Sequence, residues 1–411
     1  MRLIRLFLPA QGLTSEARWI LFIEAALNAS KVSVPFLTLY LAQCRGLSFA
    51  VAGLFLAVRG VGGLFSVFLA GAAADLWGER QVLIITIAGM SVAAVAIPHL
   101  EGIGALVAGF FILGFFINAA QPVFSSLIVR SMPAEKWMEV YAAEYWALNV
   151  GFAVTAIAGG QIAAWNYSAL FYIEAAATLV SLFLVLWKIP AQPSRVKIAH
   201  LGDWAWQSLL HKAHRGLGKI SLAARDKLAV ALISSVFLFS LSLSQMTSTL
   251  PLDMEILGYG PDEYGNAIFW NGVMLALFQL FTGNVLRKQS RVKTLAVAAL
   301  VAALGYMLLA FTATGIWFIL LCITIWTLGE MLEAPMRNVL VSSLAQPGSR
   351  GRYMGLLSAA LTTGYCFGPL AGGWVLQLFG REALWLGTGV LCLAAVVIRL
   401  AIAGSVNRRL A

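Results

Sequence analysis

The sequence has few charged residues for its length. Of its 411 residues, 11% are Asp, Glu, Lys or Arg, against roughly 25% in a soluble domain. Hydrophobic residues make up 60% of the chain, which indicates an integral membrane protein. The apolar runs are long and continuous, unlike the alternating segments of about ten residues found in outer-membrane barrels. The sequence therefore predicts an all-α membrane protein.

Cysteine and histidine are also scarce. The four cysteines are scattered and form no CxxC pair, and the four histidines are all predicted to lie in loops. This excludes a disulfide framework and a cysteine-based zinc site. With no nucleotide-binding loop, metal-ligand cluster or nucleophile–base arrangement, we expect no enzyme activity and no cofactor. The first apolar span lacks a small-residue cleavage site after it, so we expect it to remain as an anchor.

Twelve apolar stretches are each close to the roughly 20 residues that a helix needs to cross a bilayer. The predicted spans are residues 18–41, 47–70, 81–97, 104–129, 140–164, 169–187, 228–252, 264–286, 294–311, 316–344, 353–379 and 383–403. The pattern predicts twelve transmembrane helices in two pseudo-symmetric six-helix halves, residues 1–187 and 228–411.

A basic linker, residues 188–227, separates these halves. It contains eight Lys or Arg residues and two Asp. Its segment Trp204–Leu217 mixes Trp and Leu with basic residues. This segment is compatible with an amphipathic helix on the inner leaflet, or with a solvated basic loop that only fixes the topology.

Loop charge predicts the orientation in the membrane. Of the 28 Lys and Arg residues, 22 fall in the termini, the linker and the loops on the same side, whereas the opposite loops hold Arg45 and Arg381. Positively charged loops stay in the cytoplasm, so both termini are predicted to be cytoplasmic. The net charge of +10 is explained by this bias, and no nucleic-acid partner is expected.

Glycines recur between the halves. Two sets share nearly one offset in spans of equal rank: Gly53, Gly60 and Gly71 with Gly265, Gly272 and Gly283, and Gly151, Gly159 and Gly160 with Gly364, Gly372 and Gly373. Parallel halves of six spans suit a transporter in which the two halves rock about a site between them.

The loop between spans 2 and 3 reads Gly71-Ala-Ala-Ala-Asp75-Leu-Trp-Gly78-Glu79-Arg80. It resembles the loop signature of the major facilitator superfamily, although Leu76 and Glu79 replace the usual basic residues. The resemblance implies the twelve-helix fold, a small-molecule substrate, a monomer, and pairing of Asp75 with Arg130 at the end of span 4. The residues to which it gives a role in conformational gating are Gly71, Asp75, Gly78, Arg80, Arg130, Gly368 and Pro369.

Within this superfamily the chain is most similar to the twelve-span drug/proton antiporters. It departs from them in two places. Thr155 and Ala156 replace the Gly-Pro pair that these proteins carry in span 5, and span 4 has Asn118 and Gln121 but no arginine.

Charged residues inside the spans point to function, because an ionisable group in hydrocarbon is costly and rarely idle. Glu24, Asn28 and Lys31 share one face of span 1 by their spacing, and Glu330, Glu333 and Arg337 share one face of span 10. The candidates for proton coupling are Glu24, Glu333 and Glu330, and Glu144 in span 5 and Glu174 in span 6 are weaker ones. The alternative for Glu333 is a structural pair with Arg337. The candidate substrate-cavity residues are Asn28, Lys31, Arg59, Asn118, Gln121, Gln245, Asn271 and Arg337.

These features predict proton-coupled export of a small organic molecule, such as a drug-like compound or a siderophore, across a bacterial inner membrane. Two alternatives remain open. One is an importer or facilitator of a small anionic solute, with Lys31, Arg59 and Arg337 as its partners. The other is a transport-dead sensor or a lipid-handling protein.

Overall fold

The computed structural model describes residues 13–133, 136–190, 226–286, 290–311, 315–345 and 350–410. In these ranges the protein is helical and has no strand. The segment Trp204–Leu217 of the basic linker lies outside them. The long helices are α1 (Ser15–Ser30), α2 (Phe49–Trp77), α3 (Glu79–Ala96), α4 (Ile103–Ser131), α5 (Trp137–Trp165), α6 (Tyr167–Lys188), α7 (Lys227–Leu243), α8 (Pro261–Leu286), α9 (Arg291–Leu309), α10 (Ile316–Leu344) and α11 (Arg350–Leu410).

Ten stretches among the described residues are long and apolar enough to cross a membrane, so the protein is a multi-pass membrane protein. Each long helix overlaps a predicted span, and α11 covers the last two. The backbone of α11 is not helical at Gly380, where φ is 79° and ψ is −178°. Glycine tolerates this conformation because it has no Cβ, and the chain turns there between two helical stretches.

The chain forms two compact units. Unit 1 comprises Met1–Pro35 and Val58–Gly216, and unit 2 comprises Phe36–Ala57 and Leu217–Ala411. This grouping follows the predicted halves except for residues 36–57, which belong to unit 2.

Glycine allows close helix packing at corresponding places in the two units. In unit 1, a Cβ on Gly151 of α5 would lie 2.9 Å from the carbonyl oxygen of Ala25 in α1. In unit 2, a Cβ on Gly364 of α11 would collide with the Ser240 side chain of α7. Small residues let helix backbones approach in this way where lipid gives no hydrophobic drive. The two glycines are partners in the repeat seen in the sequence.

One end of unit 2 is held by a polar cluster around Asp226, which precedes α7. Its Oδ1 accepts hydrogen bonds from the backbone of Leu228 (3.1 Å) and Ala229 (3.3 Å), which caps the helix. Its Oδ2 accepts from the Tyr353 hydroxyl at 2.6 Å and pairs with Arg409 at 2.7 Å. Partial burial raises the pKa of Asp226, but the bonds from Tyr353 and Arg409 outweigh it, so this pKa lies below its ordinary value.

We expect Asp226→Ala to lower the free energy of unfolding by about 2 kcal/mol, since it removes both the cap and the ion pair. Asp226→Asn keeps a capping oxygen and should cost about half as much. Because the folded pKa is lowered, the ionic contribution is present above the ordinary aspartate pKa of about 4 and is lost as the pH falls through the folded value. Denaturant unfolding in mild detergent measures both variants. An equal loss in the two would contradict the separate role of the cap.

Candidate functional site

A cavity of about 150 Å³ lies within unit 1. It is bounded by side chains of α1, α4 and α5 and by Lys31, which follows α1. Its lining residues are Glu24, Leu27, Asn28, Lys31, Ile117, Asn118, Ala120, Gln121, Phe124 and Leu148. Five of the sequence-predicted site residues therefore surround one space. The volume suits a few water molecules or a small polar group, and it is below the roughly 300 Å³ of a typical ligand pocket.

Glu24 is the acidic group of this cavity. Its side chain is 5% exposed, and its Oε2 has no hydrogen-bond partner among the described residues. Glu144 of α5 and Lys31 both act on it electrostatically. A second buried carboxyl thus accompanies Glu24, on the helix that packs against α1.

Asn28 fixes the basic group of the cavity. Its Nδ2 donates to the carbonyl oxygen of Leu148 at 3.0 Å, and its Oδ1 accepts from Lys31 Nζ at 3.2 Å. Lys31 makes no ion pair within the described parts of the chain. The cavity therefore presents an ammonium group with donors to spare and a carboxyl oxygen without a partner.

Arg59 and Asn118 lie where α2 and α4 pack closely. The Asn118 Nδ2 donates to the Gly114 carbonyl oxygen at 3.0 Å, and Gly114 itself packs against the Arg59 backbone. Arg59 acts electrostatically on Lys31 and on Glu174 of α6. One set of interacting charged groups in unit 1 therefore comprises Glu24, Lys31, Arg59, Glu144 and Glu174.

In unit 2, Asn271 of α8 connects to α10. Its Nδ2 donates to Thr327 Oγ1 at 2.8 Å and to Glu330 Oε2 at 3.3 Å. Arg337 is the cation that acts on Glu330. The sequence-predicted residues Asn271, Glu330 and Arg337 are thus brought near one another.

Glu333 has a partner that the spacing did not indicate. Its Oε2 and Oε1 accept hydrogen bonds from Arg399 Nη1 (2.7 Å) and Nη2 (2.9 Å), and neither side chain is exposed. Arg399 also donates to Ser235 Oγ at 3.0 Å and to the Leu295 carbonyl oxygen at 2.6 Å. The expected pair with Arg337 is therefore wrong, because α10 turns Glu333 toward α11 instead. A bidentate pair with further bonds satisfies both buried charges.

Gln245 lies in a short helix, Gln245–Ser248, that follows α7 and contacts Gly368 of α11. The Gln245 side chain is 4% exposed and its Nε2 donates to the Gly368 carbonyl oxygen at 2.9 Å. Gly368 packs against Ser244, and the Pro369 carbonyl packs against Gly53. Gln245 is therefore bonded between helices.

The loop signature between α2 and α3 has a different ion pair from the one expected. Arg130 Nη1 donates to Glu79 Oε2 at 3.3 Å, and Arg130 Nη2 lies 4.0 Å from Glu16 Oε1. Arg80 Nη2 donates to the Leu186 carbonyl oxygen at 2.9 Å. Arg130 thus pairs with Glu79, whereas the resemblance implied Asp75. Glu79 stands in the first turn of α3, where a carboxylate also favours the helix N-terminus.

Within the loop signature, Gly71 lies in α2 with open space where a Cβ would project, and Gly78 precedes α3 with φ of 87°. Such a backbone conformation favours glycine and accounts for Gly78 at this turn.

The sequence comparisons agree with this architecture. The family model described as Major Facilitator Superfamily matches residues 21–260 and 232–408. The chain belongs to this superfamily. Its family and curated relatives are transporters, not enzymes.

Two relatives illustrate the range of similarity. An MFS-type transporter of Bacillus subtilis (strain 168), YttB, which is described as uncharacterized, is 25% identical over 387 residues, covering 93% of this chain and 94% of that protein. The multidrug resistance protein MdtH of Photorhabdus laumondii is 31% identical over 143 residues, covering 35% of each.

Solved structures share the fold. The nucleoside transporter NupG has a TM-score of 0.76 at 14% identity and covers 95% of this chain and 99% of its own. A D-xylose–proton symporter has a TM-score of 0.70 at 18% identity and covers 93% and 96%. At these identities the likeness concerns the fold alone.

Sequence reasoning gave Glu144 and Glu174 only as weaker candidates, and it did not select Arg399 as a site residue. An arginine inside the last span was the signal for Arg399, since a charge there needs a partner. That partner is 66 positions away on another helix, so spacing along one helix could not identify it.

We expect Glu333→Leu and Arg399→Met each to destabilise this superfamily member by about 3–5 kcal/mol, because each leaves one buried group uncompensated. The double variant Glu333→Leu/Arg399→Met should lose less than either single variant. Unfolding in mild detergent, with monodispersity on gel filtration, gives the coupling energy. Additive losses would mean that the two side chains do not act as a pair.

Proposed function

We propose that this protein is a proton-coupled secondary transporter that exports a small organic molecule by alternating access, with Glu24 as a carrier of the coupling proton. The observation that carries the proposal is the Glu24 carboxyl, which is nearly buried, borders a cavity and has one oxygen without a hydrogen-bond partner.

The second carboxyl beside Glu24 supports this role. Glu144 is 7% exposed and acts on Glu24 electrostatically. Two carboxylates in one poorly hydrated site repel each other, so a proton or a cationic substrate near them relieves the repulsion. A proton and a cation that compete for one site are exchanged for each other, which is the chemistry of an antiporter.

The cavity supplies a route for the proton. Its polar lining from Asn28, Lys31, Asn118 and Gln121 can hold water beside Glu24. The Lys31 ammonium is bonded to Asn28 and leaves Glu24 without a direct cationic partner, so the carboxyl remains available to a proton.

Export is favoured by the relatives. Proteins named as multidrug resistance proteins are among those that match part of the chain. We take drug-like compounds or a secreted metabolite such as a siderophore as the substrate class, and cations in particular because the carboxyls of Glu24 and Glu144 act on each other.

We further propose twelve transmembrane helices in two pseudo-symmetric halves of six, 1–187 and 228–411, joined by a basic cytoplasmic linker. Both termini are cytoplasmic and the membrane is the bacterial inner membrane, on the strength of the loop charges. Gly71, Asp75, Gly78, Arg80, Arg130, Gly368 and Pro369 serve conformational gating.

We expect Glu24→Gln to reduce substrate-driven proton flux to the level of vesicles without the protein, because an amide cannot carry a proton at neutral pH. Inside-out vesicles with an acid lumen and a pH-sensitive dye measure the flux. The panel to add contains lipophilic cations, weak acids and siderophore-like chelators.

Glu101→Gln is the matched control, since Glu101 is an exposed carboxyl between α3 and α4. It should leave the flux unchanged. Full flux in Glu24→Gln would exclude Glu24 as the carrier. If no compound moves protons but labelled anions equilibrate, the protein is an importer or facilitator of an anionic solute that uses Lys31, Arg59 and Arg337. If neither occurs, it is a sensor or a lipid-handling protein.

A further inference from the structure

The first span is interrupted in its middle. The span runs from Ser15 to Cys44, but α1 ends at Ser30, and Lys31 has a non-helical ψ of 47°. A 3₁₀ turn follows at Val34–Phe36. Pro35 explains the interruption, because its ring clashes with the carbonyl of Lys31 four residues earlier and disfavours helical geometry at Val34.

Inside a membrane, each backbone group released by such a break needs a partner. Three N–H groups find one locally: Lys31 bonds to Asn28 O at 3.3 Å, Val32 to Ser30 O at 2.7 Å, and Val34 to Lys31 O at 3.1 Å. The Ser33 N–H instead donates to Glu174 Oε2 of α6 at 2.9 Å. A carboxyl from another helix thus completes the break.

Glu174 has more bonding capacity than this one contact uses. Its side chain has no exposed surface. Its Oε1 makes no hydrogen bond of good geometry among the described residues, although the neighbouring Ser33 hydroxyl also acts on this carboxyl. A free oxygen on a fully buried carboxyl is a place where a proton can bind.

The charges around Glu174 connect it to the cavity. Lys31 and Arg59 are the ionisable groups that act on it, and no charged group of α3 or α5, which also pack against α6, does so among the described residues. Lys31 lines the cavity. A charged occupant of the cavity that changes the field at Lys31 therefore changes it at Glu174.

We propose that Glu174 is a second proton-binding residue, and that its ionised form holds the break of the first span in place. A proton from cavity water binds at Oε1 and converts the carboxylate into a neutral acid. The bond from the Ser33 N–H is then no longer charge-assisted and weakens. The role of this step in transport rests on the proposed function, whereas the link between the charge of Glu174 and the break does not.

The break that Glu174 stabilises lies close to the place where the chain passes from one unit to the other. The chain passes from unit 1 to unit 2 between Pro35 and Phe36, two residues after Ser33, whose N–H Glu174 accepts. Protonation of Glu174 thus loosens the chain at a point where the two units are joined covalently.

Hydrogen–deuterium exchange of the purified full-length protein tests the link without any knowledge of the substrate. The observable is the protection of residues 31–36 relative to their intrinsic exchange rates at each pH. In the wild type we expect protection to fall by about tenfold or more from mildly alkaline to mildly acidic pH. A hydrogen bond to a charged group changes the equilibrium for opening by about this factor.

Glu174→Gln keeps an acceptor for Ser33 but cannot titrate, so its protection should not change with pH. Thr178→Val is the matched control. Thr178 lies one turn further along α6 and contacts Ser30 of the same segment at 3.1 Å, so its loss should lower protection and leave the pH dependence intact.

The proposal is overturned if the wild type shows no pH dependence, or if Glu174→Gln retains it. Should Glu174→Gln fail to fold, Glu24→Gln and Glu144→Gln decide: loss of the pH dependence in either would overturn the proposal, and its persistence in both leaves Glu174. Proton flux in Glu24→Gln vesicles tests the proposed function separately, so the two can fail independently.

Discussion

In the hydrocarbon core, a polar group that is not bonded within the protein has no water to bond to, and this constraint accounts for most of the polar contacts described above. In an unbroken helix, the backbone N–H and C=O groups form hydrogen bonds with each other. Where the first span breaks, four consecutive N–H groups each need a new partner, and the protein supplies three from adjacent turns and one from Glu174. Carbonyl groups near the end of α1 also have a partner within the protein. The Thr155 hydroxyl of α5 donates to Asn28 O and Ala29 O at 3.0 and 3.1 Å.

Under the same constraint, the buried charged side chains of the two units differ in how completely they are hydrogen-bonded. In unit 2, Glu333 and Arg399 satisfy each other fully and sit among further acceptors, which suits a permanent tie between helices. In unit 1, the carboxyls of Glu24 and Glu174 each keep one oxygen without a partner. Incomplete satisfaction of this sort is costly for stability, and it is the condition under which a group can gain and lose a proton.

The positions of the spans could be predicted from the sequence because they follow from apolar length alone. The grouping of Glu24, Asn28 and Lys31 could be predicted because neighbours on one helix face are set by the period of the helix. The partner of Glu333 could not, because the choice between Arg337 and a residue on a distant helix depends on how α10 is rotated in the packed unit.

Two further features needed the structure for related reasons. The pairing of Arg130 with Glu79 depends on the path of the turn at Gly78, which spacing along one helix does not give. The break at Pro35 had a signal in the sequence, since proline inside an apolar run interrupts the helix ladder. No signal in the sequence indicated that Glu174 accepts the hydrogen bond from the Ser33 N–H, because the two residues are 141 positions apart.

The pairing of Glu333 with Arg399 also bears on the order in which the protein is made. Arg399 lies in an apolar stretch that is synthesised after α10, and an arginine in a span opposes insertion, by about 3 kcal/mol where it lies at the centre. Until that stretch is inserted, Glu333 of α10 lacks the cation that compensates its charge. The earlier helix therefore favours insertion of the later one, and the two depend on each other during the biogenesis of unit 2.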